Sequence, residues 1–190
     1  MAHRVYAFET PDRFVAGAVG QPGGRTFYLQ AREGTRVVTV ALEKVQVAIL
    51  AERLTELLAE VRGRGADVPE EPPSAELDRN PLEEPIVAAF RVGTMAIVWD
   101  GDDETVLVEA REVTEEDEED EDEPEAVDAP VEDVDDDIDL MRIRLEPGRA
   151  LAFAAQALEI VAAGRPPCPF CGQPLNPEGH ICPRRNGYMH

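Results

Sequence analysis

Cys168, Cys171 and Cys182 are the chain's three cysteines, and His180 and His190 are two of its three histidines. The arrangement Cys168-x-x-Cys171 followed by His180-x-Cys182 has the ligand types and spacing of a mononuclear zinc site, and zinc is the cofactor it implies. A Cys-x-x-Cys turn presents two sulfurs to one ion. Two residues separated by one position in an extended segment point to the same side. Three thiolates and a neutral imidazole leave a closed structural site with a net charge of about −1. His190 is an alternative fourth ligand, although a terminal residue is harder to fix. A redox pair would follow a strand and open a helix, where the helix N-terminus lowers the thiol pKa. Here the pair follows a helix and Pro166-Pro167, and later prolines prevent a new helix. A catalytic zinc would need an open position and a nearby base, and Glu178 is the only close carboxylate. The pattern therefore favours a structural ion over both alternatives.

The elements preceding this tail form two similar series. Val5–Phe8, Phe14–Val19, Arg25–Arg32 and Arg36–Leu42 are short runs rich in β-branched and aromatic residues, divided by Gly and Pro turns. Val47, Leu50, Leu54, Leu57 and Val61 then step by three or four, which predicts an amphipathic helix over about 43–63. After several prolines the strand pattern resumes at 86–90, 94–99 and 105–111, with a hairpin signal at Asp100-Gly101. Residues 139–145 alternate apolar and basic, and Pro147 opens a second helix with Leu151, Ala154, Leu158 and Val161 on one face. Leu42-Glu43 before the first helix echoes Leu145-Glu146 before the second.

These signals predict an α+β fold of two antiparallel-sheet-plus-helix halves, with pseudo-duplication, and a C-terminal zinc-knuckle-like tail. The halves run over 1–63 and 86–164, the Pro-rich connector over 64–85 and the tail over 165–190. Each half alone would bury only a small core, so packing the two together is the more stable arrangement.

Charge is unevenly distributed. The chain carries −22, yet residues 115–139 hold 17 Asp or Glu and no base. The remainder has 23 acids against 18 bases, a difference of −5. Such a run cannot be buried, and an acidic disordered insertion is expected over 114–138. No run of about 18 apolar residues predicts a membrane span, and no signal-peptide pattern follows Met1. Clustered cysteines, odd in number, fit a reducing cytoplasm.

The series Cys168-Pro-x-Cys171-x-x-Pro174-x-x-Pro177-x-Gly179-His180-x-Cys182-Pro183-Arg184-x-Asn186-Gly187-Tyr188 resembles the tail of an uncharacterised actinobacterial family of unknown function, family number 3090. Gly20–Ala31 and Leu42-Glu43-Lys44 look like its other hallmark, and the likeness spans nearly the whole chain. It implies a cytoplasmic protein of this length and carries no assigned activity.

No phosphate-binding glycine loop, nucleophile elbow or metalloprotease motif is present. The expected class is a non-catalytic binding or scaffold protein whose partner is another protein. The alternative is a single-stranded nucleic-acid binder of PUR-like or Whirly-like outline. In that reading Arg25, Phe27, Tyr28, Arg32 and Arg36 would share a sheet face, and Arg184, Arg185 and Tyr188 would add a basic end. The net charge opposes it. An enzyme of unrecognised type is the third reading, with Glu43, Lys44 and Arg25 lining a cleft beside the first helix.

Overall fold

The computed structural model describes residues 4–114, 126–127, 138–164 and 170. The strands are β1 (Val5–Phe8), β2 (Arg13–Val19), β3 (Thr26–Glu33), β4 (Arg36–Leu42), β5 (Ala88–Asp100), β6 (Thr105–Glu112), β7 (Ala126–Val127) and β8 (Leu140–Leu145). The helices are α1 (Lys44–Gly63) and α2 (Pro147–Ala162), with a 3-10 turn at Ser74–Glu76. The fold is α+β. The strands form one mixed sheet in the order β1-β8-β6-β5-β4-β3-β2, and β7 pairs with β5 off this path.

Alternation of side chains divides the sheet. Phe14, Ala16, Phe27, Leu29, Ala31, Val38, Val40 and Leu42 point to an inner face, where the helices pack. Met95, Ile97, Val106, Val108, Ala110, Met141, Ile143 and Leu145 continue that face through the second series. Predicted strands 86–90 and 94–99 are one strand, β5, bent by a register shift between Val92 and Met95. On α2 the buried face is Ala150, Phe153, Ala154 and Ala157, while Leu151, Leu158 and Val161 are only partly buried. The short alanines let α2 approach the sheet and α1 closely, so the buried centre is rotated from the leucine positions.

The register aligns the two halves. Ala31 of β3 pairs with Phe14 and Val38, and Ala110 of β6 pairs with Met95 and Met141. Superposing these rows matches β2, β3, β4 and α1 with the second part of β5, β6, β8 and α2. Glu43 and Glu146 then fall together as extended N-cap residues. The β3 sequence TFYLQARE and the β6 sequence TVLVEARE are repeats of one another. The first strands correspond too: β1 pairs parallel with β8, as the start of β5 pairs parallel with β4. Each half thus lends a strand to the last strand of the other.

That exchange curls the sheet. In a flat sheet six strand steps of about 4.8 Å would separate β1 and β2 by roughly 29 Å. The link over residues 9–12 spans at most about 17 Å between strand ends. The curl brings β1 towards the β3–β4 turn, where Arg36 lies 4.2 Å over the Phe8 ring and donates to the Ala7 carbonyl. Thr10 N donates to Glu33 Oε1 at 2.9 Å, and Gly34 N to Asp12 Oδ2 at 2.6 Å.

Residues 64–87 join α1 to β5 by a wrapped path. Pro69 and Pro73 lie beside Gly148 at the start of α2, and Arg149 Nε meets Glu76 at 3.0 Å. Asp78 stands at the free edge of β2, and residues 80–83 lie on the outer face of the sheet. There Arg13 Nε bonds Asp78 at 2.5 Å and Arg13 Nη2 donates to the carbonyls of Asn80 and Pro81. Gln30 binds Glu83 through both its side-chain groups, accepting from Glu83 N and donating to Glu83 O. The expected connector is therefore a cover for the first half of the sheet.

Candidate binding groove

β2 ends the strand order and pairs only with β3. Its sequence after Arg13 is Phe-Val-Ala-Gly-Ala-Val. The outward backbone groups of an edge strand are free to pair with another chain, and proteins commonly guard such edges with Lys, Pro or bulges. No such guard occurs from Phe14 to Val19, and Val19 is 45 % exposed. The edge is flanked by two walls. α2 and its C-cap supply Gln156, Glu159, Ile160 and Ala163 on the inner side, and Pro81, Leu82, Glu84 and Ile86 stand on the outer side. Between them runs a groove of about 570 Å³ along Ala16–Gly20. This is within the usual size range of ligand sites.

The walls are fixed by named contacts. Leu82 seats over Gly17, where an added methyl would lie 2.5 Å from Leu82 Cγ. Arg79 closes on Glu159 at 3.0 Å and Gln156 donates to the Asp78 carbonyl, tying the outer wall to α2. Arg25 donates to the Ala163 carbonyl at 2.6 Å. Hydrogen bonding to Arg13 holds the Asp78 carboxyl below the ordinary carboxylate range, against a smaller opposing push from burial. Arg79 lowers Glu159 in the same way. Asp78, Glu159, Arg79 and Arg25 are all engaged, whereas among the described residues Glu84 has no ion-pair partner.

A second cleft, of about 510 Å³, lies between the β1–β2 link and the start of α2. Its cations are satisfied internally. Arg144 reaches Asp100 at 2.8 Å, Glu9 at 3.1 Å and Asp103 at 3.5 Å, and Arg149 holds Glu76. Bonding to Arg144 lowers Asp100, and the partnership raises Arg144. This cluster braces the hairpin, the link and α2 to one another.

The chain matches the family described as Protein of unknown function (DUF3090) over residues 6–182. It belongs to this family. The family region includes Cys168, Cys171, His180 and Cys182, and Arg184, Arg185 and Tyr188 lie beyond it. No curated protein and no solved structure matches the chain. No helix among the described residues is long and apolar enough to cross a membrane.

The four expected zinc ligands, with Arg184, Arg185 and Tyr188, lie outside the described residues. So does the acidic insertion, except Thr114, Ala126–Val127 and Ile138. The remaining site residues do not share a face. Phe27 is buried on the inner face, while Tyr28 and Arg32 alternate to the outer one. Arg32 pairs with Glu83 at 3.3 Å, Arg36 braces β1, and Arg25 caps α2 while lying 5.9 Å from the centre of the Phe27 ring. Lys44 Nζ and Arg25 do come together, both within 4 Å of where a side chain on Gly164 would begin. Two cations there complement the C-terminal end of α2's dipole. Glu43 turns away to Arg91. Arg25 is the one sequence-identified residue that lines the groove. The unguarded small-residue edge at 14–19 was readable as a signal, but its walls come from distant segments.

Proposed function

We propose that the protein is a non-catalytic binding protein whose docking site for another protein is the β2 groove. The observation that carries this reading is the apolar, unguarded edge strand held open between α2 and residues 81–86. Backbone groups along such an edge supply affinity, and the two walls supply selection of side chains. A structural zinc held by Cys168, Cys171, His180 and Cys182 orders the tail, and a reducing cytoplasm keeps its thiolates available.

Photo-crosslinking in cells tests the docking site. A crosslinker at Val19 or Ile86 is expected to capture a defined protein that one at Glu56, on the exposed side of α1, does not. Equal capture at all three positions, or none, overturns the assignment. Elemental analysis of the purified full chain tests the metal. About one zinc per chain is expected, lost in Cys168→Ser, and its absence from the wild-type chain refutes the site.

A further inference from the structure

The duplication gives the empty groove a filled counterpart. Register equates Phe14 and Val15 of β2 with Met95 and Ala96 of β5. At those two residues β5 takes an extra strand: β7 pairs parallel with it, Met95 opposite Ala126 and Ala96 opposite Val127. β7 runs beside α1, and the groove at β2 runs beside α2, the equivalent helix. The same slot between a first strand and the helix of the other half therefore occurs twice. In one half the chain fills it with its own extended segment; in the other, Asp78, bonded by Gln156 of α2, stands beside Phe14 and Val15, and the slot is open only further along the strand, at Ala16–Gly20.

We infer that the β2 groove binds a partner's extended, alternating apolar-and-basic segment by parallel strand addition. This rests on the groove being the docking site and adds the partner's chemistry and direction. Alternate side chains of such a strand would face Ile160 on the α2 wall and Leu82 on the other. Both contacts are apolar. The charge left over in the walls is Glu84, and the chain as a whole carries −22. A basic residue in the segment answers the first, and the field of the second steers a basic partner inward.

The test titrates isotope-labelled full-length protein with a roughly eight-residue alternating valine–lysine peptide, capped at both ends, and with its valine–glutamate counterpart. Amide resonances of residues 16–20 are expected to shift with the lysine peptide, which should bind about tenfold more tightly than the glutamate peptide. Glu84→Lys should remove that preference, and N-methylation of the peptide on its pairing edge should abolish binding. A spin label on the peptide N-terminus should broaden Ala16 more than Gly20, as a parallel strand requires. Stronger broadening at Gly20, full binding after N-methylation on either edge, or no binding at about 1 mM overturns strand addition of this kind. Concentration-dependent self-association that broadens the same amides would make the occupant a second copy and overturn the partner assignment. Crosslinking at Val19 and Ile86 is independent of these outcomes, so the docking site can stand when the parallel basic strand fails.

Discussion

The two halves of the molecule use the same inner face and different outer faces. Inside, β3 and β6 present Leu29 and Ala31 against Val108 and Ala110 at equivalent positions, all fully buried. Outside, the central residue of the row is Gln30 in the first half and Glu109 in the second. Gln30 donates to Thr39 Oγ1 at 3.0 Å, bonds the backbone of the chain wrapped over it at Glu83, and accepts from Arg13 Nη1 at 3.5 Å. Thr39 is replaced in the second half by Arg142, which binds Glu109 Oε1 at 2.6–2.7 Å. The inner pattern is set by one shared core and tolerates only apolar exchange. The outer residue follows the groups that face it, mainly the Glu83 backbone in one case and the arginines Arg142 and Arg111 in the other. Duplication preserves the frame, and the cover decides the chemistry.

Exchanging the two central residues attacks that contrast most strongly. Gln30→Glu removes the donor to Thr39 and the Glu83 carbonyl and buries a carboxylate beside Glu83. Arg13 Nη1, 3.5 Å from the Gln30 oxygen, offsets part of that charge, and a loss of about 3 kcal/mol is expected. Glu109→Gln removes a charge-assisted bond from Arg142 and should cost about 2 kcal/mol. Denaturant unfolding of both variants checks the order. Equal, small losses would mean that neither outer face is specified by its cover.

The wrapped segment is the next point of attack. Asp78→Ala leaves Arg13, only 9 % exposed, with the more distant Glu83 carboxylate at 3.7 Å as its ion pair and should cost about 2–3 kcal/mol. Gly17→Ala should cost about 1–3 kcal/mol by forcing Leu82 off the strand. Leu82→Ala should relieve that clash, so the double variant is expected to lose less than the two single losses combined. Strict additivity, measured by a double-mutant cycle, would show that Leu82 does not seat on Gly17.

Much of the frame was legible because its signals are local. The apolar alternation of β3, β4, β6 and β8, the three-and-four stepping of α1, and the Glu43 and Glu146 caps all depend on neighbours within a few residues. The repeat itself, TFYLQARE against TVLVEARE, was present but masked by unequal spacing. A tight turn at Gly34 follows the first copy, whereas residues 113–139 follow the second, so no single period aligns both halves. Residues 64–85 looked like a linker because their prolines and charges give no periodicity. Their contacts are with Arg13 and Gln30, far away in the chain. The groove escaped for the same reason: a strand edge is readable in Phe14–Val19, but whether it is covered depends on where α2 and Leu82 arrive.

The smallest expected effect is a dependence on pH, and it separates the two halves by the position of their ion pairs. Bonding to Arg13 lowers Asp78 from its ordinary 3.8 in the folded chain. A depressed carboxylate contributes stability that is fully present above its unfolded value and disappears as pH falls through the folded one. Arg144 depresses Asp100 in the same direction, but Arg144 is more exposed than Arg13, so water and salt weaken that pairing more. Stability should therefore decline as pH falls below about 5 and through the depressed folded values, with Asp78 giving a larger share than Asp100. Asp78→Asn should flatten that part of the decline and Asp100→Asn should change it less, as read from thermal unfolding at each pH in low and high salt. High salt should erase the Asp100 contribution first. If both contributions vanish together, the Arg13 anchor is no more protected than a surface pair, and the wrapped segment holds the first half by its apolar contact at Gly17 and its backbone bonds to Gln30 instead.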